Sequence, residues 1–153
     1  MNDKFDFISA TDRPALVACS NPAWLDASKK ALQELGYKIH VAANHEDFLS
    51  RFSQVRYQIV FVEDLFNAGK LEENQSLKAL QKMIMGQRRH ATIILVGNSV
   101  RTLDSMQAFQ QSVHAVINTS EMLVLKQLVE KIIAENTLFL HNFREVQEHI
   151  AKL

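Results

Sequence analysis

Glycine, proline and cysteine are scarce in this 153-residue chain, with four, two and one respectively. The single Cys19 excludes an internal disulfide framework and suits a reducing compartment. The glycines, at positions 36, 69, 86 and 97, are nowhere grouped, so the Gly-rich turn that cradles nucleotide phosphates is missing. No apolar run approaches the roughly 20 residues of a membrane-spanning helix. An excess of either charge is missing too. Lys+Arg 17 balances Asp+Glu 17, which leaves no global field favouring nucleic acid or an anionic membrane. The first residues, MNDKFDFISATDRP, lack the basic start and apolar run of a secretory signal, so the expected location is the cytoplasm.

The composition is 47% hydrophobic, enough for one globular core and too apolar for a disordered chain. Short apolar runs alternate with longer amphipathic ones. Strands are expected over residues 14–19 (PALVAC), 38–42 (KIHVA), 58–62 (QIVFV), 91–96 (ATIILV) and 115–117. Helices are expected over 22–35, from Asn44 onward (HEDFLSRF) and over 76–87, with residues 67–75 as a mobile polar loop. Asn21 precedes Pro22, an N-cap followed by a proline at the first helical position, and Gly36 is placed to stop that helix. Strands without polar alternation are covered on both faces, which predicts an α/β domain with a parallel sheet between two helical layers. In such sheets ligands bind beyond the carboxyl ends of the strands. The residues there are Cys19 and Ser20, Glu63 and Asp64, Gly97 and Asn98, and Thr119.

The order and spacing of these segments resemble the receiver domain of bacterial two-component response regulators over about residues 13–135. LGYKIHVAAN, QIVFVE, TIILVGNS and HAVINTS carry the resemblance. It implies a three-layer fold with a five-stranded parallel sheet in the flavodoxin-like order 2-1-3-4-5. It also implies a site of two acids for Mg²⁺, a phosphoaccepting Asp, a hydroxyl residue and a Lys. Carried over by position, the acid pair falls on Cys19 and Ser20, the acceptor on Glu63, the hydroxyl on Gly97 and the Lys on Thr119. None of the expected residue types is present. A hard cation needs carboxylate charge, and a phosphoryl group needs a fixed ammonium. The expectation is therefore a degenerate receiver with no enzymatic activity, cofactor or metal.

Several readings of the strand-end residues stay open. Glu63 is either a standing mimic of a phosphorylated Asp or a solvated acid without a role. Asp64 is a phosphoacceptor only in a shifted register. Cys19, with His40 on the neighbouring strand, is a nucleophile in the alternative of a small α/β enzyme. The six histidines show no metal-ligand spacing. The cluster Lys82, Arg88, Arg89 and His90 complements a helix C-terminus.

Residues 121–153 contain no Gly or Pro and read as one long helix. An a/d heptad runs through Met122, Leu125, Val129, Ile132, Asn136, Phe139, Phe143, Val146, Ile150 and Leu153. Val124, Leu128 and Ile133 are expected to pack on the sheet. The division is residues 1–12 as an extension, 13–135 as the receiver-like domain and 136–153 as a helical continuation. That continuation needs a partner, either a second copy or a signalling protein, unless it folds back through a kink near Asn136. The protein is thus expected to signal by protein–protein contact, without nucleic acid or membrane.

Overall fold

A computed structural model describes residues 8–9 and 11–151, excluding the side chains of 139–144, 147–148 and 151. Five strands, β1 (Pro14–Ala18), β2 (Lys38–Val41), β3 (Ile59–Glu63), β4 (Thr92–Gly97) and β5 (Ala115–Asn118), form one parallel sheet in the order β2-β1-β3-β4-β5. Among the described residues the α-helices are α1 (Pro22–Glu34), α2 (His45–Gln54), α3 (Gln75–Lys82), α4 (Met85–Arg88), α5 (Ser105–Gln110) and α6 (Leu125–Ala151).

Side-chain alternation along each strand feeds two separate cores. Ala15, Val17, Phe61, Ile94 and Ile117 point to the layer of α1 and α6, where Leu32, Val129 and Ile132 cover them. Leu16, Val60, Val62, Ile93 and Leu95 point the other way, under Phe48 of α2, Leu77 and Leu80 of α3 and Ala108 of α5. Both faces being covered is why β1, β3 and β4 are apolar almost without interruption.

The helix starts follow local chemistry. Asn21 Oδ1 accepts the amides of Ala23 and Trp24, Asn44 Oδ1 that of Asp47, and Asp104 Oδ1 that of Gln107. After α1 the chain reverses through Gly36 at φ +89°, a left-handed conformation that suits glycine at a helix end.

The structure corrects the sequence reading in four places. Residues 76–87 do not form one helix. The chain is extended at Met83 and Ile84, which separates α3 from α4. That break turns the buried Arg88 back to donate to Leu80 O at 2.8 Å, at the end of α3, and to Ser112 O, beyond α5. The segment 67–75 is no simple loop: it contains a 3-10 turn, Leu71–Glu73, and ends on the fully buried Asn74. The long helix begins only at Leu125, after a 3-10 turn over Thr119–Val124, and Val124 is exposed rather than packed on the sheet.

The fourth correction concerns the heptad. Val129 and Ile132 are buried in the chain's own core, and Asn136 donates from Nδ2 to Thr92 Oγ1 at 2.6 Å. The domain itself uses the first half of the stripe, because α6 must cover the sheet, and Asn136 is bonded to β4 within the domain. Beyond it α6 continues unbroken to Ala151, so no fold-back kink occurs at Asn136. Val146 and Ile150 are 57% and 62% exposed, while the side chains of Phe139, Phe143 and Leu153 lie outside the described residues. No described helix is long and apolar enough to cross a membrane.

Candidate functional site at the carboxyl ends of the strands

β1 and β3 are adjacent, and their ends bring Cys19, Ser20 and Glu63 together. Glu63 is only 6% exposed, which excludes the solvated strand-end acid. Its carboxylate turns toward the β1–α1 loop, where Oε1 accepts the amides of Ser20 at 2.7 Å and Asn21 at 3.2 Å. These amides precede α1, so the helix N-terminus adds favourable field to the bond. The longer arm of Glu, compared with Asp, lets a β3 side chain reach the neighbouring loop.

Asp64, also 6% exposed, goes elsewhere. Its amide donates to Val96 O at 2.8 Å, which continues the β3–β4 ladder, and its carboxylate lies over Gly97. A Cβ added at Gly97 would sit 2.2 Å from Asp64 Oδ2. The carboxylate therefore fills the space of a fourth-strand side chain, and only a residue without one leaves room. Ser99 Oγ approaches Oδ2 at 3.5 Å. Burial holds the Asp64 carboxyl above its ordinary range, and the nearby charge of Glu63 adds to this.

A carboxyl whose folded pKa is raised binds its proton more tightly in the native than in the unfolded state. Its contribution to stability is complete below the ordinary carboxylate pKa and is lost as pH rises through the raised value. Asp64→Asn is therefore expected to stabilise the protein at neutral pH, with the gain vanishing near pH ~4. Urea denaturation at both pH values checks this; a loss of stability at neutral pH would contradict the assigned cost of the buried charge.

Thr119 stands apart. The β4–β5 register places Asn118, not Thr119, opposite Gly97. The Thr119 hydroxyl bonds Asn98 Oδ1, and Asn118 Nδ2 donates to Asn98 O at 3.2 Å and Val100 O at 2.7 Å. Neutral amides and hydroxyls thus close the β4–β5 end.

Cys19 is buried, its Sγ 3.6 Å from Asn21 O. Burial and then the charge of Glu63 push its thiol up to about 12, so it stays protonated at neutral pH and lacks nucleophilic character. His40 Nδ1 lies 2.7 Å from the Tyr57 hydroxyl. Among the described residues no group of three or more His, Cys, Asp or Glu is placed to hold a metal ion.

The residue that sequence reasoning missed is Asn74. Its Nδ2 donates to both Glu63 O at 2.9 Å and Asp64 O at 3.0 Å, while Oδ1 caps α3 through the Leu77 amide at 3.1 Å. An Asn just before an amphipathic helix is a capping signal, but nothing local says that its amide reaches back to β3. A second tie runs through His45, whose Nδ1 accepts the Ser76 amide at 3.1 Å, leaving Nε2–H to donate to Asn67 O at 3.2 Å. Asn67 in turn donates its amide to Ser20 Oγ at 2.9 Å.

No family model and no curated protein matches the sequence. Solved structures do. A response regulator from Thermotoga maritima superposes with a TM-score of 0.62 at 18% identity, covering 80% of this chain and 98% of that one. The receiver domain of a sensor histidine kinase from Pseudomonas aeruginosa PAO1, with magnesium coordinated in its active-site cleft, gives 0.61 at 14% identity, covering 81% and 99%. A yeast Spc42 trimeric coiled coil fused to another structure gives 0.61 at 12% identity, covering 94% and 95%. The chain has the receiver fold, with the flavodoxin-like strand order and a long C-terminal helix.

Proposed function

We propose that this chain is a receiver-fold signalling module of bacterial signal transduction that acts by protein–protein contact and takes up no phosphoryl group. One observation carries the reading. Both strand-end carboxylates are already committed, Glu63 to the Ser20 and Asn21 amides and Asp64 to the space over Gly97. No lysine occupies the end of β5, where Thr119 bonds Asn98. A phosphoryl dianion at this place would meet two buried carboxylates and no counter-charge. Glu63 acts here as an internal anchor of the β1–α1 loop. The input is then abundance or partner binding.

The test is the intact mass after incubation with acetyl phosphate and Mg²⁺, for the wild type and for Asp64→Asn and Glu63→Gln. No adduct is expected in any sample. An adduct lost only in Asp64→Asn would make Asp64 a working acceptor and overturn the proposal.

The far half of α6 supplies the contact in this reading, by pairing with a second copy. Asn136 is 15 residues from the end of α6 at Ala151, so the helix runs roughly 22 Å past it. Val146 and Ile150, one turn apart, share an exposed face. The structural neighbour built as a coiled-coil fusion supports an oligomeric role for such an extension. Sedimentation equilibrium is expected to show an oligomer that Val146→Glu with Ile150→Glu converts to monomer. A monomeric wild type would remove the second copy as the partner.

A further inference from the structure

The chain is neutral overall, but its charge is unevenly placed. Between Glu73 and Asp104 the sequence has no acid and contains Lys78, Lys82, Arg88, Arg89 and Arg101. Arg88 is buried on two carbonyls and Arg101 pairs with Asp104 at 3.1 Å. Lys78, Lys82 and Arg89 remain exposed, with no carboxylate partner among the described residues.

The same face carries large apolar side chains turned to solvent. Ile84 and Met85, at the α3–α4 hinge, are 69% and 64% exposed; Met106 and Phe109, on one face of α5, are 63% and 81% exposed. Hydrogen bonds join the two elements into one surface. Gln81 Nε2 donates to Gln111 O at 3.0 Å, and Arg88 ties Leu80 O to Ser112 O. Ile84 and Phe109 thus lie a few residues on either side of the same seam. Beside the hinge opens a groove of about 350 Å³, lined by Phe52, Val55, Arg56, Met83, Gly86 and His90 among others. The His90 ring stacks on Phe52, and neither of its nitrogens has a hydrogen-bond partner among the described residues. Arg56 is a fourth exposed cation without a carboxylate partner among the described residues.

We propose that the face formed by the α3–α4 hinge and α5 binds an acidic amphipathic helix of a partner protein. Single exposed apolar residues are ordinary on a protein surface, but a cluster of four rimmed by one sign of charge marks an interaction site. Three of the five methionines, Met83, Met85 and Met106, belong to this face, and flexible thioethers suit a surface that takes up the ridge of a helix. Lys78, Lys82, Arg89 and Arg56 select carboxylates on the flanks of that helix. A helix is favoured over a lipid surface because the exposed Gln87 and Gln110 interleave with the apolar residues. Their amides would lose hydrogen bonds in hydrocarbon, whereas a peptide offers partners.

The test uses the full chain and two designed helical peptides of Leu and Phe, one with Glu and the other with Lys on its polar face. In fluorescence anisotropy the Glu peptide is expected to bind and to weaken with added salt. The Lys peptide, and the variants Phe109→Ser and Lys82→Glu/Arg89→Glu with the Glu peptide, are each expected to bind about tenfold more weakly or worse. These side chains are exposed, so melting temperatures should hold. Amide shifts should concentrate in residues 78–89 and 105–112. Equal binding of both peptides, no binding, shifts confined to α6, or binding only to phosphatidylcholine vesicles containing phosphatidylglycerol would each overturn the proposal.

Discussion

Asn74→Ala is expected to destabilise the protein by about 2–4 kcal/mol, from the loss at once of an N-cap and of a donor to two buried carbonyls. The cap on Leu77 is worth about 1 kcal/mol, and the Asp64 carbonyl that loses its donor about 1–3 kcal/mol, while Glu63 O keeps the Phe66 amide at 3.1 Å. Asn74 is fully buried, so water does not replace it. Against a total domain stability of about 5–15 kcal/mol this is a severe loss. Asn74→Asp separates the two roles. It keeps an acceptor for the Leu77 amide but turns a carboxylate oxygen onto the carbonyls of Glu63 and Asp64. Urea denaturation should show it losing at least as much as Asn74→Ala. A well-tolerated Asp would mean that only the cap matters and that the tie to β3 is incidental.

Gly97→Thr is expected to cost about 3 kcal/mol, at the upper end of overpacking penalties. It introduces the hydroxyl residue type that the resemblance to receivers implies at this position, yet the new Cβ would fall 2.2 Å from Asp64 Oδ2 and 2.4 Å from its Cγ. The displaced carboxylate has little room, since Asp64 is buried and its amide is held by Val96 O. Asp64→Ala removes the obstruction, so the double variant should recover most of the loss. The expected coupling is up to about 3 kcal/mol, favourable in sign, and a double-mutant cycle in chemical denaturation measures it. Additive losses would show that the carboxylate and the glycine do not share one space. Phosphoryl uptake should stay absent in both variants, because neither supplies a cation ligand set or an ammonium.

Much of the architecture was legible in the sequence. Strand runs such as QIVFV and ATIILV, capped helix starts at Asn21 and Asn44 and the stop at Gly36 are local signals, each set by a few neighbouring residues. Together they define a doubly covered parallel sheet, and the resemblance to receivers supplied its strand order. Legible too was which residues stand at the strand ends: Cys19, Ser20, Glu63, Gly97 and Thr119, where the resemblance to receivers implies two acids, an Asp, a hydroxyl residue and a lysine. Less legible were α5, whose six residues are too short for a helical pattern, and the break between α3 and α4. That break depends on Arg88 finding carbonyls at Leu80 and Ser112, the latter 24 residues away. The heptad misled in its first half, since a stripe that packs on a sheet and one that packs on a partner helix have the same period.

By itself the sequence determined the layered α/β class, the ends of most strands and the residue types that stand at them, because hydrophobic period, capping and composition act over a few residues. Only the tertiary structure decided what IVFVED does with its two acids. Glu63 reaches 43 residues back to Ser20, Asp64 lies over Gly97, and Asn74 clamps the carbonyls of both. Those pairings follow from which strands lie side by side and how far each side chain reaches across them, and no local pattern of residues encodes that.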